Sequence, residues 1–186
     1  MNIKYKVTFH SNWHCGSGLS AGADVDALVV KDDGLPFIPG KTLKGLIREA
    51  VIDYLYLSGT SNDTSLVKET FGSAPDQPGQ YDELQKGAAF FSDATLPEAE
   101  IIKSNKAEEF LYQSTSNTAI DDDGIAKEHS LRKTETVVPC SLVADILDVP
   151  ADITSYVVKA LGLIKFMGAG RNRGLGRCTF SVIEQS

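Results

Sequence analysis

At 186 residues with 42% hydrophobic composition, the chain can bury one ordinary core or two small lobes, and the expectation is a single domain over 1–186. Its formal charge of −7, from 25 acidic against 18 basic residues, argues against an indiscriminate polyanion binder, so any phosphate site must be local. The opening residues 1–9 alternate rather than running apolar, which predicts neither a secretory signal nor a membrane anchor, and a cytoplasmic protein.

In chain order, Ile3, Tyr5, Val7 and Phe9 share one face of a first strand. A loop over 11–24 leads to an expected second strand at 27–30, turn chemistry at 31–36 and the short extended entry Phe37-Ile38-Pro39-Gly40. Leu43, Leu46, Ile47, Ala50, Val51, Tyr54 and Leu55 then mark the buried stripe of a helix. After it come a polar connection at 58–63, a short helix at 65–71, an irregular loop at 73–79 and a buried strand at 87–91. The polar stretch 104–135, with Asp121-Asp122-Asp123-Gly124 at a turn, predicts a projecting hairpin inserted in the domain. Residues 136–142 are expected to return to the sheet. Ile153, Val157, Ala160, Leu161 and Ile164 have helical spacing, and Cys178, Phe180 and Val182 alternate as a last strand. The order predicts an α+β protein with a ferredoxin-like, RRM-like βαββαβ core and a long hairpin insertion.

The densest chemical signal is Gly168-Ala169-Gly170-Arg171-Asn172-Arg173-Gly174-Leu175-Gly176-Arg177. Its glycines allow positive φ and close approach of a ligand, and its guanidinium groups offer forked donors that match phosphate oxygens. The loop follows a helix and precedes a strand, the reverse of a dinucleotide fingerprint. Gly168, Gly170, Arg171, Arg173 and Gly174 are therefore candidate phosphate contacts, with a solvated glycine-rich turn as the bland alternative.

Lys41, Lys44 and Arg48, three and four apart, form a basic rail on the helix after Gly40. Two lysines at a helix N-terminus are unfavourable unless an anion is present, so phosphate and an ordinary solvated face both stay open there. Asp24 and Asp26 flank Val25 on one side of the chain, a pattern suited to Mg²⁺ or proton acceptance, or to turn capping. His10, His14 and Cys15 lack a defensible zinc spacing, and neighbours on a strand point to opposite faces, which weakens a His14-assisted Cys15 nucleophile. Cys15, Cys140 and Cys178 are odd in number and far apart, so reduced thiols are expected.

Four blocks together resemble the RAMP superfamily of CRISPR proteins, specifically the small backbone subunits of type III effector complexes. They are Gly16-Ser17-Gly18 with Val25-Asp26 and Ile38-Pro39-Gly40-Lys41; Phe71-Gly72 with Phe90-Phe91-Ser92-Asp93; residues 117–139; and the loop from Gly168 to Gly176. The resemblance implies copies lined up along a guide RNA, held by the Gly-rich loop and basic helix, beside other effector subunits. It makes residues 117–135 a thumb that intrudes between guide and target RNA. It also matches Asp26 to the family's catalytic aspartate, which cuts target RNA with Mg²⁺ or another divalent metal, although Ala27-Leu28 stand where catalytic members often carry a proline. A noncatalytic structural subunit is the alternative, and a free-standing guide-processing nuclease using His14 is a third reading.

Overall fold

The computed structural model describes residues 1–20, 25–59, 64–73 and 85–186, so Asp24 and most of the expected 73–79 loop lie outside the described residues. The first strand, β1 (Ile3–Phe9), shows the predicted alternation: Ile3, Tyr5, Val7 and Phe9 are buried, and Lys4 and Lys6 are exposed. A two-residue ribbon, β2 (Lys31–Asp32) with β3 (Leu35–Pro36), turns at Asp33 and Gly34 and precedes α1 (Gly40–Leu57) and α2 (Thr64–Phe71). Next come β4 (Phe90–Phe91), α3 (Ala99–Ser104), β5 (Tyr112–Asn117) and β6 (Arg132–Val137). The chain closes with β7 (Ser141–Leu147), α4 (Ala151–Leu161) and β8 (Cys178–Gln185).

The main sheet has the order β4-β7-β1-β8 with every pair antiparallel. Read along the chain this is β1-α1-β4-β7-α4-β8, the ferredoxin-like arrangement expected from sequence. The two main helices pack on each other and on the face carrying Tyr5, Leu142, Ala144 and Phe180. On α1 the side chains of Leu43, Ile47, Val51 and Leu55 enter the core, and on α4 those of Ile153, Val157 and Leu161. Val182 follows Cys178 and Phe180 onto this face opposite Tyr5, but edge placement leaves it 36% exposed.

The hairpin β5–β6 forms a separate two-stranded sheet in continuous register from Tyr112↔Val137 to Asn117↔Arg132. Its base is keyed by one residue. The Glu135 carbonyl accepts from His14 Nδ1 at 2.6 Å, while its carboxylate accepts from the Val29 N–H at 3.0 Å and pairs with Lys31 at 2.7 Å. Lys31 also lies 3.8 Å from the centroid of the Tyr112 ring, and Tyr112 donates to the Gly34 carbonyl at 2.7 Å.

Three expectations need correction. Residues 27–30 form no strand of the main sheet; they lace the hairpin to the 15–19 loop through isolated bridges, Ala27↔Thr134 and Gly16↔Val29. Their alternation serves those two partners. The strand expected at 87–91 shortens to Phe90–Phe91, with Phe90 exposed, because Ala88 and Ala89 donate instead to the carbonyls of Glu69 and Thr70 at the end of α2. Thr136 and Val137 belong to the hairpin, and β7 begins at Ser141.

Cys15 and Cys178 are buried free thiols and Cys140 is half-buried. Burial pushes the Cys15 thiol up, and carries those of Cys140 and Cys178 to about 11.

Candidate nucleic-acid interface

Four glycines of the loop before β8 are left-handed: Gly168 at φ 86°, Gly170 at 72°, Gly174 at 84° and Gly176 at 70°. They do two jobs. At Gly168 an added Cβ would lie 2.4 Å from the His14 carbonyl oxygen, and at Gly176 1.9 Å from that of Met167, so these two press main chain against main chain. Gly170 and Gly174 bracket a single 3₁₀ turn, Arg171–Arg173. The loop is moored to the segment after β1 by Ala169 N–H to His14 O at 2.9 Å and Gly176 N–H to Asn12 O at 2.8 Å.

On that platform Arg171, Arg173 and Arg177 are exposed, and among the described residues none has an acidic partner. Three depressions adjoin the loop. One of 390 Å³ is lined by residues from Gly168 to Arg173. Another of 220 Å³ lies between the loop and the hairpin, and a broad third, of 710 Å³, gathers His10, Lys165, Phe166 and Arg177 at the loop's stem. Lys165 and His10 were missed from sequence, although a basic-aromatic pair directly before a Gly-Arg loop is a legible signal.

The α1 rail is built differently. Gly40 touches β4 so closely that a Cβ would sit 2.2 Å from the Phe91 oxygen, and its N–H donates to Asp93 Oδ1 at 2.7 Å. The anion that two lysines at a helix start call for is thus supplied at least in part by the chain's own Asp93. Arg48 pairs with Glu49 at 3.2 Å. Lys41 and Lys44 instead join Lys86 around the exposed Phe90 in a 200 Å³ depression, which shares no lining residue with the three around the Gly-rich loop. Lys86 stands far from the rail in sequence, so periodicity on α1 could not find it.

Asp26 is exposed and sits against the hairpin rather than α1. Its N–H donates to the Lys133 carbonyl at 2.8 Å, and its Oδ2 accepts from the Lys133 N–H at 2.7 Å. Oδ1 is left open. No group of three or more His, Cys, Asp or Glu side chains converges among the described residues, so His10, His14 and Cys15 form no metal site there. On the open face of the main sheet, β1 offers Lys4 and Lys6 but no aromatic, so the base-stacking platform of an RRM has no counterpart on that strand.

The comparisons with known proteins agree with this architecture. A family model for the RAMP superfamily matches residues 6–179. This chain belongs to the RAMP superfamily. Among solved structures, a chain of the Type III-B Cmr-beta bound to cognate target RNA aligns with TM-score 0.73 at 11% identity, covering 98% of this chain and 97% of that one. A chain of Type III-B Cmr-beta in its apo state aligns with TM-score 0.70 at 12% identity, covering 100% and 98%. No curated protein matches. At such identities the likeness is one of fold. For this RAMP chain, no helix among the described residues is long and apolar enough to cross a membrane.

Proposed function

We propose that this RAMP protein is a guide-RNA-binding backbone subunit of a type III CRISPR effector complex in the cytoplasm, set beside copies of itself and other effector subunits, and that it cuts the paired target RNA at Asp26. The observation that carries the reading is a loop of left-handed glycines presenting three arginines that have no acidic partner among the described residues, in a protein of negative net charge. Such groups are available to phosphates, which supply most of the contacts in nucleic-acid interfaces. The family and the fold shared with Cmr-beta chains support the same reading.

For cleavage, the Lys133 N–H holds Asp26 by Oδ2, and Oδ1 takes the proton of a ribose 2′-hydroxyl whose oxygen bonds to the adjacent phosphorus as the P–O5′ bond breaks; the 5′-oxygen leaves with a proton from water, and the product is a 2′,3′-cyclic phosphate. Mg²⁺ or another divalent metal fits as a one-carboxylate site completed by RNA phosphate oxygens, where it would offset charge on the reacting phosphate. A noncatalytic structural role is the second reading, favoured by the Asp26–Lys133 bond, which already gives the carboxylate a task in the fold. The guide-processing reading is weakened because His14 is only 4% exposed and its Nδ1 is committed to Glu135.

Asp26→Asn decides between the first two. The amide keeps an oxygen for Lys133, so guide binding should persist while target cutting falls by about two orders of magnitude or more. Chelation of divalent metal should have the same effect. A wild-type assembly that binds target and never cuts it, or an Asp26→Asn assembly that cuts normally, leaves the structural role.

A further inference from the structure

The main sheet ends on two edges that the fold treats differently. The β4 edge is two residues long, and Ala94 just after it exchanges both backbone hydrogen bonds with Ile38, at 2.9 and 3.0 Å. The β8 edge has no such cover: among the described residues β8 pairs with β1 alone. His10 donates to the Arg177 carbonyl at 2.8 Å, and Asn2 and Ser186 exchange bonds at 2.6 and 3.0 Å, so the even-numbered residues of this first segment serve β8. Arg177, Thr179 and Ser181 therefore turn their main-chain groups inward, as do Glu184 and Ser186 beyond the bulge at Ile183. Phe180, Val182 and Gln185 point theirs outward. At Cys178 the outer side is already taken, its N–H donating to the Lys165 carbonyl at 2.9 Å, so the open stretch begins after it.

The bulge at Ile183 is the one guard on this edge, which carries no proline and no lysine. Branched Val182 and Ile183 stand at its middle, 36% and 53% exposed. Charge is polarised along its length. Lys165 and Arg177 are exposed at the start and Glu184 near the end, and none of the three has an ion-pair partner among the described residues.

We propose that this edge is a docking surface for a second copy of the chain, the two β8 strands pairing antiparallel about a two-fold axis through Val182. The outward residues suit that operation. Val182 pairs with itself, and Phe180 of each copy pairs with Gln185 of the other across the bulge, so the three outward residues map onto themselves with none left over. The axis also carries the acidic end of each strand toward the basic end of the other, Glu184 toward Lys165 and Arg177, twice over. Parallel pairing would set like ends together. Two four-stranded sheets merge into one, and because the contact is isologous it closes at two copies. It describes the chain free of RNA and does not depend on the RNA-binding reading.

The test is sedimentation equilibrium of the full-length chain freed of nucleic acid. The mass should climb from 20.0 kDa toward twice that value as concentration rises. Half-dimerisation should fall between about 1 μM and 1 mM, the range suited to a small interface. Val182→Lys and Val182→Glu, which set like charges face to face on the axis, should each raise that concentration at least about tenfold, and an equimolar mixture of the two should reverse the loss. Val182→Cys should give a disulfide-linked dimer under mild oxidation, because a hydrogen-bonded antiparallel pair holds its Cα atoms about 5.5 Å apart. Thr179→Cys should not, since six residues along the strands at roughly 3.3 Å each put its two copies about 20 Å apart. Should the charged variants fail to fold, the cysteine pair decides alone. A dimer indifferent to both charges, or one that cross-links at residue 179 as readily as at 182, overturns the proposal. Wild type that stays monomeric to about 1 mM overturns it too, and leaves the edge to a strand of another protein.

Discussion

Two glycine-bordered basic motifs look alike in sequence and differ in what the fold does with their charge. Around Gly40 the first N–H of the helix is taken by Asp93, and Arg48 is paired with Glu49. Around Gly170 the arginines stand on main chain tied to Asn12 and His14 by two backbone hydrogen bonds, and no carboxylate among the described residues meets them. A cluster of positive charge is informative about a ligand to the extent that the protein has left it unneutralised.

The comparison can be broken most severely through its glycines. Gly176→Ala and Gly40→Ala should each cost about 3 kcal/mol or more, or prevent folding, because the new Cβ meets a carbonyl oxygen at 1.9 Å and 2.2 Å respectively. Gly45→Ala is the control, with nothing within 4 Å of the added carbon, and should stabilise the helix by about 0.5–1 kcal/mol in urea unfolding. If Gly45 and Gly176 responded alike, the packing account of the loop would be wrong.

Charge reversal sharpens the contrast at the level of binding. Arg173→Glu should weaken RNA binding at least about tenfold and lower the magnitude of the log–log salt slope by about 0.7 for each single-strand phosphate that the arginine no longer neutralises. Lys44→Glu should do less, since the start of its helix already has a carboxylate, Asp93, on the Gly40 N–H. Equal losses of affinity from both variants would erase the distinction drawn between the two motifs. The smallest loss belongs to Asp93→Ala, which removes the acceptor at the start of α1 and should cost about 1 kcal/mol in the same unfolding measurement.

Local periodicity made the ferredoxin-like core legible: Ile3 to Phe9, the Leu43–Ile47–Val51–Leu55 stripe and the Ile153–Val157–Leu161 stripe each report burial by their own spacing. The Gly-rich loop was legible because its composition has few other uses. What escaped were relations between distant segments. Nothing near residue 40 announces that Asp93 accepts from the start of α1, and nothing near residue 14 announces that a hairpin carbonyl at residue 135 meets the His14 ring. Residues 27–30 were misread for a related reason, since alternation signals a pairing partner on one side without saying which sheet provides it. Nor does anything near Asp26 announce that its hydrogen bonds go to Lys133 across 107 positions.

The cysteines carry a practical consequence. A thiol held at about 11 is thiolate to only about one part in ten thousand at neutral pH, and the thiolate is the species that attacks maleimides. With Cys140 and Cys178 in that condition and Cys15 buried and shifted the same way, one cysteine introduced at the exposed Asp122 would outcompete all three. The native chain is in effect a cysteine-light background, ready to carry a single fluorophore at the hairpin turn without prior removal of its own thiols.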